Sequence, residues 1–303
     1  MKKWSLSLAL VSLCACITGC GSGGGNNLPA TNTERSTVAK TAAGGASNIS
    51  GLVNLSNIAN PNGASTFSAA VSRAARGRAP FVTEIARLSL SARSQATGRA
   101  QLSYDSALGL YYSIVTSNNG LTTTINFYTD SNGTQPDGSA QGVQSSANSY
   151  PMTISLSLNI PSIPASGSLK TVVNNSAGTS GTITGSMTVA GTAVTNLNFT
   201  VNTDSQGNQT LSGGYAITSS IGTITYSNIL ENITNIENGS GVAVTANFSV
   251  GGYSGSMTVN VDGSGSMTLH DSSGSTSSVA WTSSGAATIT YPDGSTGTFN
   301  IQQ

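Results

Sequence analysis

His270 is the chain's single histidine, and Asp271 follows it directly. In a serine-rich chain the pair raises acyl-transfer chemistry: a hydroxyl nucleophile, His270 as base and a carboxylate to orient it. Adjacent residues of a strand point to opposite faces, however, so Asp271 is badly placed to bond His270. Lying after "GSMTL" and before "SSGS", His270 reads as a strand end before a turn. No GxSxG elbow occurs, which removes the α/β-hydrolase arrangement. One histidine excludes HExxH-type metal sites. Lys170 follows Leu169 rather than glycine, so no phosphate-cradling loop surrounds it. No catalytic and no metal-ligating residue is expected.

Asp130, Asp137, Asp204, Asp262 and Asp293 raise calcium binding or a glycosidase pair. Neither the EF-hand spacing nor the calcium-binding nonapeptide repeat is present. Four of the five stand just before Gly or Asn-Gly, or after Pro, where Asp favours turning the chain. Turn formation is therefore their expected role. Glu231 and Glu237 flank "NITNI" and read as loop residues in water.

The three cysteines, Cys14, Cys16 and Cys20, all fall in the first twenty residues. Lys2 and Lys3 precede an apolar run from Trp4 to Ile17, the pattern of a secretory signal peptide. The run is short for a membrane-spanning helix, which needs about 20 apolar residues. It ends in Ile17-Thr18-Gly19-Cys20, which resembles the lipobox of bacterial lipoproteins. The resemblance covers these twenty residues alone. It implies cleavage before Cys20, a diacylglycerol on its sulfur and an acyl chain on the new amino terminus. Leu13-Cys14-Ala15-Cys16 is a weaker competing site. Two acyl chains anchor a protein stably, where one binds only marginally. Because Gly21 rather than Asp follows, the resemblance implies the outer membrane in a host with two. No other cofactor is expected, and the mature chain would have no free thiol.

Charge is divided along the chain. Residues 21–100 hold eight Lys or Arg against two Glu, and residues 101–303 one Lys against nine acids. Arg73, Arg76, Arg78, Arg87, Arg93 and Arg99 are the candidate contact to an anionic lipid surface, each contributing about 1 kcal/mol there. The acidic remainder would repel phosphate, so a nucleic-acid partner is not expected.

The elements that must position these residues follow from periodicity. Residues 1–19 are the signal, and 20–66 are the lipidated Cys and a disordered Gly/Ser/Asn-rich tether. Residues 67–100 are Arg/Ala-rich. Phe81, Ile85, Leu88 and Ala92 recur at helical spacing after Pro80, predicting a short N-terminal helix there. From 101 to 303 the period becomes two. "GVAVTANFSV" places Val242, Val244, Ala246, Phe248 and Val250 on one face. Asn132-Gly133, Asp137-Gly138, Gln206-Gly207, Asp262-Gly263 and Asp293-Gly294 mark hairpin turns. The fold class is therefore all-β, a mainly antiparallel sheet built of hairpins. Sandwich, soluble barrel and curved half-barrel remain open, the last wrapped around the helix. A membrane barrel is excluded by the lack of aromatic girdles and of an apolar outer band.

The expected function is a non-enzymatic cell-envelope lipoprotein, exported and anchored in the bilayer, with a β domain for binding or structure. Its partner would be an envelope polysaccharide, lipid or protein met on the Thr/Ser/Asn faces and tyrosines such as Tyr215, Tyr226 and Tyr253. One alternative is a periplasmic carrier or receptor of apolar ligands. Another is an envelope hydrolase using His270.

Overall fold

The computed structural model describes residues 30–47, 102–105, 109–117, 121–146, 149–162, 165–175, 180–189, 192–232, 235 and 238–301. Strict alternation with turn signals every few residues produces one antiparallel meander, each strand pairing with the next. The strands are β1 (Ser103–Asp105), β2 (Leu110–Ser117), β3 (Thr122–Tyr128), β4 (Pro136–Gln144), β5 (Met152–Ile160) and β6 (Ala165–Val173). There follow β7 (Ser180–Val189), β8 (Thr192–Thr203), β9 (Gln209–Ser219), β10 (Gly222–Asn232) and β11 (Val242–Val250). The sheet ends with β12 (Tyr253–Asn260), β13 (Gly265–His270), β14 (Thr276–Trp281), β15 (Ala286–Thr290) and β16 (Thr296–Asn300). β1 and β16 are its edges, so the sheet is open: neither a closed barrel nor two packed sheets.

One face is apolar. Register aligns Ala246, Met257, Met267, Val279 and Ile289 in a single row across five strands, and all five are buried. A fully buried Ile, Leu or Phe in such a row stabilises by about 1.5–3 kcal/mol. Large residues face small ones across strands: Phe248 pairs with Gly255, and Trp281 with Gly265. A Cβ on Gly255 would stand 2.7 Å from the Phe248 ring, and one on Gly265 2.3 Å from Trp281. The rings occupy the space that the glycines leave.

Four successive turns near the carboxyl end repeat one geometry. In Asn260–Ser264, Asp271–Ser275, Thr282–Ala286 and Tyr291–Ser295, the first N–H bonds the fifth carbonyl. The glycine at the fourth position, Gly263, Gly274, Gly285 or Gly294, donates back to the first carbonyl. Each of these glycines has a φ between 81° and 87°, which a side chain disfavours.

The apolar face carries the helix α1 (Asn32–Ser47). It lies inside the stretch expected to be tether, which corrects that expectation for residues 32–47. The helix predicted within 67–100 lies outside the described residues. A capping box starts α1: Thr31 N donates to Glu34 Oε2 at 2.7 Å, and Glu34 N to Thr31 Oγ1 at 3.2 Å. Arg35, Val38, Ala39, Ala42 and Ala43 then fall on one buried stripe. The stripe is narrow because it is mostly alanine, and small side chains let the helix approach the sheet closely. Gly45 approaches closely, where a Cβ would meet Ile217 Cδ1 at 2.6 Å and would overlap the Tyr226 hydroxyl.

Two local expectations need correction. Asp137-Gly138 lies within β4 rather than in a turn. Asp137 nonetheless serves a turn, accepting the Ser162 N–H at 3.1 Å and the Ser162 hydroxyl beyond the end of β5. Val242 is exposed while Ala243 and Val244 are both buried, because register shifts between residues 242 and 244.

Candidate functional site

The chemistry-bearing side chains separate onto the two faces of the sheet and its turns. At the turns, Asp130, Asp204, Asp262 and Asp293 accept hydrogen bonds from hydroxyls, amides and N–H groups two to five residues on. Side-chain donors first, Thr134, Asn208, Ser264 and Ser295 respectively, and then backbone N–H groups hold these carboxyls below the usual Asp range. Their turn role is as expected. Among the described residues no three His, Cys, Asp or Glu groups converge as a metal site.

The His270–Asp271 pair divides as its alternation requires. His270 is exposed, and its Nδ1 lies 2.9 Å from Thr276 Oγ1 on the neighbouring strand. Asp271 is buried and turned to the helix. Arg35 Nε and Nη2 reach Asp271 Oδ2 at 3.1 and 2.5 Å. Oδ1 accepts Ser273 N at 2.9 Å, Ser273 Oγ at 2.6 Å and Ser275 N at 3.0 Å. One oxygen thus holds the helix and the other the turn. Burial alone would raise the Asp271 pKa; the Ser273 hydroxyl, Arg35 and the backbone donors outweigh it and lower it. The adjacent turn at the same end of the sheet adds Tyr291, whose hydroxyl lies 2.6 Å from Ser36 Oγ.

The tyrosines expected to form a contact surface face inward instead. Tyr215 and Tyr226 are buried and stacked, with ring centroids 4.9 Å apart. Tyr226 donates to the Ala42 carbonyl at 2.7 Å and Tyr215 to the Gly45 carbonyl at 3.0 Å. The Gly45 carbonyl lies in the last helical turn, where carbonyls lack intrahelical donors, and the Ala42 carbonyl one turn earlier. Tyr253 is partly buried.

Glu231 departs furthest from expectation: a residue read as solvated loop is wholly buried in β10. Among the described residues neither carboxyl oxygen has a hydrogen-bond partner. Burial pushes its pKa well above the usual Glu value. The cause is a bulge. Ile224 and Tyr226 point inward, and simple alternation would turn Leu230 in and Glu231 out. Register with β9 shifts between Tyr226 and Ile229, with Asn228 left-handed at φ 49°. Ile229 and Glu231 therefore point inward, and Leu230 is 47% exposed.

The outer face of β12–β15 carries hydroxyls. Register aligns Ser256, Thr268, Ser278 and Thr290 in one row, and Thr258, Ser266, Ala280 and Thr288 in the next. Strands lie about 4.8 Å apart, and alternate residues along a strand about 6.7 Å. These residues line a depression of about 430 Å³. None of its lining residues is charged. Its seven hydroxyls make no hydrogen bond to another described group.

Cys20 and the six arginines Arg73, Arg76, Arg78, Arg87, Arg93 and Arg99 lie outside the described residues, as does Glu237. Among the described residues no helix is long and apolar enough to cross a membrane. Two signals that the tether reading of 20–66 left unused mark the helix site: the Thr31-x-x-Glu34 box, and the spacing of Arg35, Val38, Ala39, Ala42 and Ala43. The chain matches no protein-family model, and comparison with curated proteins finds no significant relative.

Proposed function

We propose that the protein is a non-enzymatic lipoprotein of the cell envelope, acylated on Cys20, whose β domain offers a contact surface to an uncharged, hydroxyl-rich partner such as an envelope polysaccharide. The observation that carries this reading is the depression on β12–β15, where seven unengaged hydroxyls form an uncharged array. Hydroxyls both donate and accept, which suits a neutral glycan and gives little purchase to charged or purely apolar partners. The placement of the ionisable groups agrees with it. His270 bonds a threonine, Asp271 is held by Arg35 and the turn acids are occupied by their own turns.

Purified full-length acylated protein, tested against insoluble polysaccharide from the producing cells, should be retained. Ser278→Lys with Thr290→Lys places two charges in the outer row at exposed positions. Retention should then fall about tenfold or more, the loss of a few hydrogen bonds at 0.5–1.5 kcal/mol each. Stability should change by no more than about 0.5 kcal/mol per site. Undiminished retention in the double variant would remove the β12–β15 face from the reading, and stoichiometric lipid in the purified domain would favour a carrier. Intact-mass measurement tests the anchor: the native product should begin at a triacylated Cys20.

A further inference from the structure

Glu231 lies at the end of β10, where its position is paradoxical: an acid is wholly buried while its neighbour Leu230 is 47% exposed. Its cross-strand partners are Leu211 on β9 and Val244 on β11, both buried and apolar. From β9 the titratable group near it is Tyr215, and from its own strand Tyr226; β11 contributes none. The charged residues of α1 are Glu34 and Arg35 at its other end, and Lys40, which is exposed. Among the described residues no cation offsets this carboxyl.

We propose that Glu231 is a proton-operated latch that couples the end of β10 to the docking of helix α1. When protonated, the carboxyl is neutral and stays on the inner face. β10 then keeps its bulge at Asn228 and holds Tyr226, beside Tyr215, beneath the last turns of the helix. Loss of the proton leaves a bare carboxylate among Leu211, Val244 and Ile229, which hydration alone can relieve. The latch requires a second register of the strand, one without the bulge. In it Leu230 replaces Ile229 on the inner face, a near-even exchange of apolar area, and Glu231 reaches water. Asn228 leaves its left-handed conformation in that exchange, but Asn228 and Asn232 turn inward, which opposes it. Proton loss thus favours the bulge-free register, which shifts the strand beside the Tyr226–Ala42 and Tyr215–Gly45 hydrogen bonds and loosens the helix end.

Hydrogen exchange on the full chain tests this directly. After correction for intrinsic exchange, protection of residues 224–232 and 40–46 should fall together as pH rises from 5 to 9. A single proton allows at most a tenfold change in opening per pH unit. Glu231→Gln removes the charge without the volume and should leave protection flat with pH. The carboxyl ¹³C shift of Glu231 in the unaltered protein is a check needing no variant: it should titrate above the usual carboxylate range, with the same midpoint as the exchange. Protection independent of pH in the wild type, an unchanged slope in Glu231→Gln, or an ordinary carboxyl midpoint would each overturn the latch.

Discussion

Helix α1 is docked at its two ends by opposite electrostatic devices. At its amino end Arg35 and Asp271 are both buried, mutually paired, and completed by Ser273 and Ser275. At its carboxyl end two tyrosine hydroxyls bond helix carbonyls, while the Glu231 carboxyl, near Tyr215, has no partner among the described residues. Both sites bury a carboxyl on the inner side of the sheet, Asp271 against the helix and Glu231 between Leu211 and Val244. Only the first supplies donors for the charged form, so one acid is stabilised ionised and the other neutral. Burial by itself therefore does not decide the charge state; the donors around the oxygens do.

The contrast is most strongly tested by removing one partner of the buried pair. Arg35→Met leaves Asp271 without its cation and should destabilise by about 3 kcal/mol, less than a fully uncompensated charge because three turn donors remain. Arg35→Met with Asp271→Asn should recover part of that loss in chemical denaturation. Next in size is Gly45→Leu, which drives a side chain into Tyr226 and Ile217 and should cost about 1–3 kcal/mol. Its damage should concentrate at the carboxyl end of the helix, as read by exchange at residues 40–46.

The two ends should also respond oppositely to pH. The folded pKa of Asp271 is depressed, so its contribution is present above the unfolded value near 3.9 and is lost as pH falls through the folded value. The folded pKa of Glu231 is raised, so its contribution is full below about 4.3 and is lost as pH rises toward the folded value. Denaturation of Asp271→Asn should therefore flatten the acid limb of the stability profile, and Glu231→Gln the alkaline limb. Tyr226→Phe, which strips the donor from the Ala42 carbonyl, should cost about 1 kcal/mol. Thr31→Ala removes the hydroxyl of the exposed capping box and should cost about 0.5–1 kcal/mol.

Much of this arrangement can be read along the chain. Period-two alternation identifies the strands, and Asp262-Gly263 or Asp293-Gly294 identifies turns because their chemistry is local. The separation of His270 from Asp271 follows from alternation alone. The helix at 32–47 was read as tether: Thr31-x-x-Glu34 and the stripe from Arg35 to Ala43 mark it, but its alanines and glycines carry so little hydropathy that they resemble a linker. Size, rather than polarity, marks the buried side.

What no local pattern contains is the bulge at Asn228. Alternation assigns Leu230 to the core and Glu231 to water, and the structure reverses both, because one unpaired residue inverts every side chain beyond it. The partnership of Arg35 with Asp271 likewise spans 236 residues and depends on which turns share an end of the sheet. Composition and period determined that this chain builds an antiparallel sheet with one apolar and one hydroxyl face. Which acid keeps its charge was decided by register and by the helix laid across that sheet, since a carboxyl's state depends on donors brought to it from distant sequence.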